Sequence, residues 1–252
     1  MLKRQRRPLS VGVPGKHHPH FLGRRLLLWL GLLAVLAAAL LIHAGGVQQQ
    51  PDPTQAKPQV VLVVIRGTDA SPSGPGLAAF IAVIRPRSRD IGIVPVPGSV
   101  ATPSGEALST MAPSLAATDI AASVASGLGI RLTGYIVINA SVVENVIASL
   151  QDSVPTWPVD LTPERVLTEL GWPVARPDRK GQIQVISDLI QYIPMLPGSN
   201  GMALAGQVLQ GTSTRLSMED LFVLVTYVND QKVVPTRLRD LPKSFRVKKV
   251  AQ

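Results

Sequence analysis

The chain has 252 residues, of which 25 are Lys or Arg and 16 are Asp or Glu, for a formal net charge of +9. It contains no cysteine, and its four histidines all lie before residue 44. The rest of the chain therefore lacks the base of a Ser-His-Asp or Cys-His hydrolase and the ligands of a His- or Cys-bound zinc site. Any chemistry there must come from carboxylates, Arg, Lys, hydroxyl groups or the backbone.

The positive charge is concentrated at the N-terminal end. Residues 1–25 hold seven of the bases and no acidic residue, so the remainder of the chain is close to neutral. With three Trp, three Tyr and four Phe, the chain has too few aromatic residues for a platform on which bases stack. We therefore expect no nucleic-acid partner.

The segment after this basic end is long and apolar. Residues 26–42 read LLLWLGLLAVLAAALLI. At about 1.5 Å per helical residue, this segment and its flanks span a hydrocarbon layer of ~30 Å. The bases on its N-terminal side predict a cytoplasmic N-terminus and an extracytoplasmic remainder. A cleaved signal peptide is the alternative, because small residues follow the apolar run, but the length of the basic and apolar regions favours an uncleaved anchor.

These patterns divide the chain into five parts. Residues 1–25 form a basic cytoplasmic tail, 26–44 a transmembrane helix, and 45–58 a linker rich in Pro and Gln. Residues 59–232 form an extracytoplasmic domain, and 233–252 a basic C-terminal tail. That tail is interpreted either as a solvated end or as a segment attracted to anionic envelope polymer or lipid. The chain is expected in the cell membrane as a single-pass protein.

The extracytoplasmic domain begins with three predicted strands. The first is QVVLVVI at residues 59–65, followed by a loop rich in turn residues. The next two, LAAFIAVI and IGIVPV, are joined by a short charged turn and are apolar enough to be buried on both faces. A helix is predicted in SLAATDIAASVASGLG, ended by Gly127 or Gly129.

The rest of the domain alternates a strand with helices. RLTGYIVIN predicts a strand ending near Asn139, and Asn139 or Ser141 caps the helix ASVVENVIASL. Thr162 is the predicted N-cap of the helix in LTPERVLTELG. IQVISDLIQYI and LSMEDLFVLVTYV predict two further helices, the second opened by a capping pair of Ser217 and Asp220.

Strands that alternate with helices predict one α/β domain, a sheet with helices on both faces. Its predicted core is formed by eight apolar residues of the strands, namely Leu62, Val64, Phe80, Ile81, Val83, Ile93, Ile136 and Ile138.

The order of these segments resembles the LytR-CpsA-Psr family. The resemblance covers residues 59–229 and is carried by VVLVVIRGTD, AFIAVIRPRSRDIGIVPVPGSV, GLGIRLTGYIVINASVVENVIASL and LTPERVLTELG. Members are membrane-anchored enzymes that move glycopolymers from polyprenyl-diphosphate carriers onto the bacterial cell wall. The resemblance implies a three-layered α/β/α sandwich of LytR-CpsA-Psr type, here preceded by one transmembrane helix.

Most charged positions of the family's motifs are missing. The family's R-x-D-T phrase, its P-R-D phrase and an Arg pair after a later helix fall on six residues without charge, namely Pro75, Leu77, Gly98, Ser99, Gly171 and Pro173. Transfer from a diphosphate carrier requires cations for the developing charge and carboxylates for Mg²⁺. The resemblance therefore implies a member without most of the catalytic set.

Four residues remain as candidates for substrate binding. Asp69 matches the acid of the family's G-S-D or G-T-D phrase and is the one candidate metal ligand, unless it only forms a turn after the first strand. Arg66, close to it in sequence, offers a phosphate contact or a surface ion pair. Arg179 stands near a family Arg or is a solvated loop residue. Gln184 matches one residue of an R-Q-Q phrase or lies on a helix surface.

Three functions are compatible with this sequence. The first is a non-catalytic protein of the bacterial cell envelope that binds a polyprenyl-linked lipid, a wall glycopolymer or an active family relative. The second is a divergent glycopolymer-peptidoglycan phosphotransferase, and the third is an envelope scaffold. No cofactor is expected for the first, whereas residual transfer would require Mg²⁺. An open apolar tunnel between sheet and helices would favour polyprenyl binding, and a filled one would favour the scaffold.

Overall fold

The computed structural model describes residues 57–67, 74–111, 114–176, 178–196, 207, 210–217, 220 and 232–247. The predicted transmembrane helix, the linker up to residue 56 and Asp69 lie outside the described residues. Within the described ranges, no helix combines the length and the apolar character needed to cross a membrane.

The described part of the chain is built on a six-stranded sheet with the order β5-β4-β1-β2-β3-β6. The strands are β1 (Gln59–Gly67), β2 (Gly76–Arg85), β3 (Asp90–Pro95), β4 (Gly134–Asn139), β5 (Thr212–Thr214) and β6 (Lys232–Pro235). Strand β1 pairs antiparallel with β2 and parallel with β4. Strand β3 pairs antiparallel with β2 and parallel with β6, and β5 pairs antiparallel with β4. The sheet is therefore mixed.

Five α-helices accompany the sheet in the described residues. They are α1 (Leu108–Met111), α2 (Ala117–Leu128), α3 (Ala140–Ser153), α4 (Pro163–Leu170) and α5 (Arg179–Tyr192). Short 3₁₀ turns occupy Ile193–Met195, Leu238–Asp240 and Lys243–Phe245. The predicted helices are confirmed for α2, α3 and α4, and α5 begins four residues earlier than the predicted Ile183, because Asp178 caps it.

The helix caps follow the sequence signals at three of four positions. Helix α4 begins where the Thr162 hydroxyl accepts a hydrogen bond from the Arg165 amide at 3.3 Å. Helix α2 ends at Gly129, whose φ of 63° is left-handed and suits glycine. The Asp220 amide donates to the Ser217 hydroxyl at 3.1 Å, which confirms the capping contact. Asn139 occupies the predicted N-cap position of α3, but its side chain makes no capping hydrogen bond.

Both faces of the sheet are covered. Along β1, alternate residues point to opposite faces, and residues 60–65 are all buried. One face packs against α2 through a cluster that includes Ile120 and Val124. The other face packs against α3, α4 and α5 through a larger cluster. All eight predicted core residues are 5 % exposed or less, which confirms the predicted α/β sheet with helices on both faces.

The C-terminal segment is part of the folded domain. Strand β6 crosses the predicted domain boundary at residue 232 and pairs with β3. Beyond it, Leu241 is fully buried. The Phe245 carbonyl accepts from the Arg131 amide at 2.8 Å, and the Val247 amide donates to the Gly129 carbonyl at 2.9 Å. The prediction of a solvated end is therefore wrong for residues 233–247, because backbone pairing and one buried leucine hold them on the domain.

Candidate functional site

The start of β2 and the end of β3 meet the chain segment that follows α4. The Leu77 amide donates to the Pro173 carbonyl at 2.8 Å, and the Ala175 amide donates to the Leu77 carbonyl at 3.0 Å. The Gly98 amide donates to the Ala175 carbonyl at 3.0 Å. Three of the six positions where the family carries charge, Leu77, Gly98 and Pro173, are therefore brought together. We call this place the strand mouth and define it by Leu77, Gly98 and residues 172–175.

The strand mouth is filled by the chain itself. A Cβ atom at Gly76 would lie 2.7 Å from Trp172 Cζ2 and 2.8 Å from Pro173 Cβ, and Trp172 covers Gly67 in the same way. Leu77 is fully buried. A side chain at Gly98 would collide with the Val174 carbonyl oxygen. The indole and the backbone of residues 172–175 thus occupy the space into which longer side chains at these positions would project.

The other three uncharged positions bring no chemistry to the mouth. Pro75 and Ser99 are exposed. Gly171 ends α4 with a φ of 106°, a left-handed conformation that favours glycine over residues with a Cβ. The left-handed helix end therefore explains why a glycine stands at position 171.

Arg66 is half-buried and is hydrogen-bonded to the segment before α2. It lies near the end of β1, opposite Leu77 and Asn139 of the neighbouring strands. Its Nη1 donates to the Leu115 carbonyl at 2.8 Å, while its Nε is buried without a hydrogen-bond partner among the described residues. The contact with residue 115 ties the turn before α2 to the sheet. Its predicted ion pair involves Asp69, which lies outside the described residues.

Arg179 is the first residue of α5, so its interpretation as a solvated loop residue is wrong. Its Nη2 donates to the Thr236 carbonyl at 2.7 Å, and its Nε is buried without a described partner. The guanidinium therefore joins α5 to the segment after β6. It lines a groove next to the strand mouth, together with Arg176 and Arg237.

Gln184 lies on the exposed surface of α5, in agreement with the helix-surface interpretation. Its Nε2 donates to Asp188 Oδ1 at 2.9 Å. Burial raises the pKa of Asp188 above its ordinary value, the hydrogen bond from Gln184 opposes that rise, and the nearby charge of Asp160 adds to it. Gln184 therefore does not lie at the strand mouth.

Sequence reasoning missed two residues at this end of the domain. Trp172 covers Gly67 and Gly76. No local sequence pattern predicts that a tryptophan after a helix-ending glycine packs on two glycines of the sheet. Gln182, where the family's R-Q-Q phrase would begin, is fully buried and donates to the Leu170 carbonyl at 3.1 Å. It links α5 to the end of α4.

The described residues do not fit a Mg²⁺ ion at the strand mouth. Mg²⁺ is held by carboxylate and other oxygen ligands, and the mouth offers an indole, aliphatic side chains and proline. Within the described ranges, no group of three or more acidic or histidine residues is placed to hold a metal.

No protein-family model and no curated protein sequence matches this chain. Several solved structures match its fold. An Enterococcus faecalis transcriptional regulator is 14 % identical with a TM-score of 0.50, over 75 % of this chain and 78 % of that one. The Bacillus subtilis transcriptional regulator yvhJ is 13 % identical with a TM-score of 0.47, over 72 % and 83 %. A structure of TagT bound to LIIa-WTA is 18 % identical with a TM-score of 0.48, over 75 % and 81 %.

The structural match to the Enterococcus faecalis protein shows a shared fold. The chain therefore has an α/β fold of the kind found in that protein, with a strand mouth that is uncharged and filled.

Proposed function

We propose that this chain is a non-catalytic LytR-CpsA-Psr-like protein of the bacterial cell envelope, anchored in the cell membrane with its domain outside. Its role is to bind an envelope component, either a glycopolymer, a polyprenyl-linked precursor or an active family relative. The observation that carries the proposal is the strand mouth, where uncharged residues stand in place of the family's Arg and Asp and Trp172 covers Gly67 and Gly76.

The chemistry of transfer makes this mouth unsuited to catalysis. A diphosphate leaving group develops negative charge that cations must neutralise, and the loss of one such donor costs about 2.7–4 kcal/mol of transition-state stabilisation. Several donors are absent here at once. Arg66 cannot replace them freely, because its Nη1 is engaged with the Leu115 carbonyl.

The packing of the described residues favours an envelope scaffold, or a polymer bound at the surface, over a protein that binds a polyprenyl chain. A polyprenyl chain needs an apolar channel between the sheet and its helices. In the described part of the chain, the layer between the sheet and helices α3, α4 and α5 is occupied by a continuous cluster of buried side chains. A hydrophilic polymer bound at the surface requires no such channel.

A divergent phosphotransferase is the second candidate, favoured by the three arginines beside the strand mouth. Such an enzyme would have to bring substrate phosphates to Arg176, Arg179 and Arg237 and recruit Mg²⁺ through Asp69.

A transfer assay separates the two candidates. The purified full-length chain is incubated with Mg²⁺, a polyprenyl-diphosphate glycan and a peptidoglycan acceptor, and product is measured beside a sample without protein. We expect no transfer above that background. Asp69→Ala is the control, since transfer that is clear in the natural chain and absent in this variant would establish the phosphotransferase and reject the non-catalytic proposal.

A further inference from the structure

The edge of the sheet at which β1 begins carries a base at every strand. Strands β1, β3, β4 and β6 run in the same direction and begin at this edge, whereas β2 and β5 run the opposite way and end there. A Lys or Arg lies at each of these six strand ends or within three residues of it. The bases are Lys57, Arg85, Arg87, Arg89, Arg131, Arg215 and Lys232. We call this place the basic edge and define it by these seven residues.

The basic edge is open to solvent and positively charged. Six of its seven side chains are exposed, and Arg85 is half-buried in an ion pair with Asp90 at 2.6 Å. The other acid described at these strand ends is Asp220, which accepts a hydrogen bond from Gln59 Nε2 at 2.9 Å. Seven bases and two acids leave a net charge of +5 among the described residues of this edge. Because neighbouring strands lie about 4.8 Å apart, the charges form a row roughly 24 Å long.

The opposite edge of the sheet, where the strand mouth lies, carries little charge. By the same criterion its described bases are Arg66, half-buried near the end of β1, and Arg237, two residues beyond β6. Positive charge is therefore concentrated at one end of the sheet. Attraction to an anionic surface would orient the domain with that end toward the surface.

The charge of the basic edge extends onto the side of the sheet that packs against α2. Exposed Arg246 forms an isolated bridge with the residue before Arg131. The next residue, Val247, is a large apolar side chain that is 47 % exposed. On the other side of the sheet, exposed Asp152 lies at the end of α3 and exposed Asp160 in the loop that follows it. An anionic surface would therefore meet the edge from the α2 side.

The chain enters the domain at this same edge. Lys57 is the first described residue, and β1 begins two residues later. The predicted linker, residues 45–58, joins this point to the predicted transmembrane helix. A flexible linker of this length spans roughly 20 Å on average. The basic edge is thereby held close to the bilayer, and a tethered surface needs only a weak attraction to dock, because its effective concentration is high.

We propose that the basic edge docks on an anionic phospholipid surface, formed by the headgroups of the membrane in which the chain is anchored. The proposal rests on the membrane anchoring in the proposed function and goes beyond it by giving the domain an orientation. Each Lys or Arg near such a surface strengthens binding about fivefold. Because the strand mouth lies at the opposite end of the sheet, docking turns it away from the bilayer.

A bilayer is favoured over a soluble polyanion for two reasons. The row of bases lies beside the point where the chain arrives from its predicted anchor. Val247, exposed next to Arg246, gains from contact with the boundary between headgroups and acyl chains, whereas a soluble polyanion offers it no apolar partner.

The absence of cysteine permits a test with single-cysteine labels. The full-length chain with Ser88→Cys, in the exposed turn between β2 and β3, is reconstituted in vesicles and labelled from outside with a donor fluorophore that does not cross membranes. Energy transfer to an acceptor lipid is compared between phosphatidylcholine vesicles and vesicles of equal parts phosphatidylcholine and phosphatidylglycerol. We expect transfer to rise in the anionic vesicles and to return to the neutral level at high salt. A label at Ser99→Cys, exposed beyond the end of β3, should show no rise.

A matched pair of triple variants assigns the rise to the basic edge. The test variant removes three exposed bases of the edge, by Arg131→Gln, Arg215→Gln and Lys232→Gln. The control removes the same number of exposed Arg and Lys side chains at the other end of the sheet, by Arg176→Gln, Arg237→Gln and Lys180→Gln. We expect the test variant to weaken docking about a hundredfold and to abolish the rise, and the control to retain it. Unfolding curves verify that both variants keep the fold.

Four outcomes would overturn the proposal. Transfer from Ser88→Cys does not rise in anionic vesicles, both label sites rise equally, or the two triple variants lose the rise to the same extent. The second and third of these assign the attraction to diffuse charge. The fourth is binding of soluble polyphosphate through the three bases without any rise on vesicles, which assigns the edge to an anionic polymer.

Flotation with neutral phosphatidylcholine vesicles tests the anchor separately. A chain that fails to float with them contradicts the anchoring in the proposed function. Flotation with anionic vesicles that depends on the three bases would then still support docking by the basic edge, and its absence would reject it. Failure of the anchor is thus distinguishable from failure of the docking surface.

Discussion

At the scale of single residues, Gly76 and Trp172 decide the shape of the strand mouth. Gly76 pairs with Gly67 across β1 and β2, and the indole of Trp172 lies against both. Two adjacent residues without side chains leave a recess on the sheet, and the aromatic ring fills it. Gly76 and Trp172 together therefore explain why this end of the sheet is closely packed.

This packing predicts that a single methyl group added at Gly76 destabilises the protein. Gly76→Ala should lower the free energy of unfolding by about 1–3 kcal/mol, because the new Cβ would lie 2.7 Å from Trp172 Cζ2 and 2.8 Å from Pro173 Cβ. Urea unfolding measures the change. In a Trp172→Ala background the cost should shrink, since only the proline contact remains. Equal costs in both backgrounds would mean that the indole does not lie on Gly76.

Asp188 makes stability depend on pH. Because burial raises its pKa in the folded state, the folded protein binds this proton more tightly than the unfolded chain does. Stability from this group is present below the unfolded pKa and is lost as the pH rises through the raised folded pKa. Asp188→Asn should therefore give a small stability gain at neutral pH that disappears in acid, and solvent screening keeps it small.

Thermal unfolding of both proteins at several pH values measures this effect. Asp152→Asn on the exposed end of α3 is a suitable control, and it should show no such difference. A gain that persists unchanged at acidic pH would contradict the assignment to Asp188.

At the scale of elements, the segment after β6 closes one side of the domain. The 3₁₀ turn Leu238–Asp240 is followed by Leu241, which is fully buried in the cluster that packs against α2. Arg246 Nε donates to the Leu241 carbonyl at 2.8 Å, and residues 130 and 246 form an isolated bridge. One wall of the groove lined by Arg176, Arg179 and Arg237 depends on this segment, since Thr236 and Arg237 precede it directly.

The buried leucine gives a direct test of this docking. Leu241→Ala should destabilise the protein by about 2–5 kcal/mol, the cost of a cavity in a packed core. Arg239→Ala, two residues earlier and largely exposed, should stay within about 0.5 kcal/mol of the natural chain. Chemical denaturation compares the two variants. A Leu241→Ala protein as stable as the Arg239→Ala protein would mean that the segment is not packed on the domain.

At the scale of the whole molecule, we expect the domain to lie outside the cell. The physical reason is the row of seven bases before residue 26, which the positive-inside rule places in the cytoplasm. Protease added to intact cells should remove a C-terminal tag and leave an N-terminal tag protected. A C-terminal tag that survives on intact cells and is lost after lysis would show that the orientation is reversed.

The sequence by itself determined the elements that depend on local patterns. The β-branched runs of β1 and β2, the Thr162 cap and the glycine end of α2 were all predictable, because each is set by residues adjacent in the chain. The eight core residues followed from strands apolar on both faces. The absence of charge at the family's motif positions is likewise a property of the sequence.

Only the tertiary structure decided how distant segments meet. Strands β5 and β6 are short and exposed or half-buried, so no alternation of apolar and polar residues predicts them. They are defined by pairing with strands far away in the sequence. Trp172 reaches two glycines about a hundred residues earlier in the chain, and Arg179 reaches Thr236. Because such contacts arise from packing between elements, the filled strand mouth and the groove of Arg176, Arg179 and Arg237 beside it form only once the sheet and its helices are assembled.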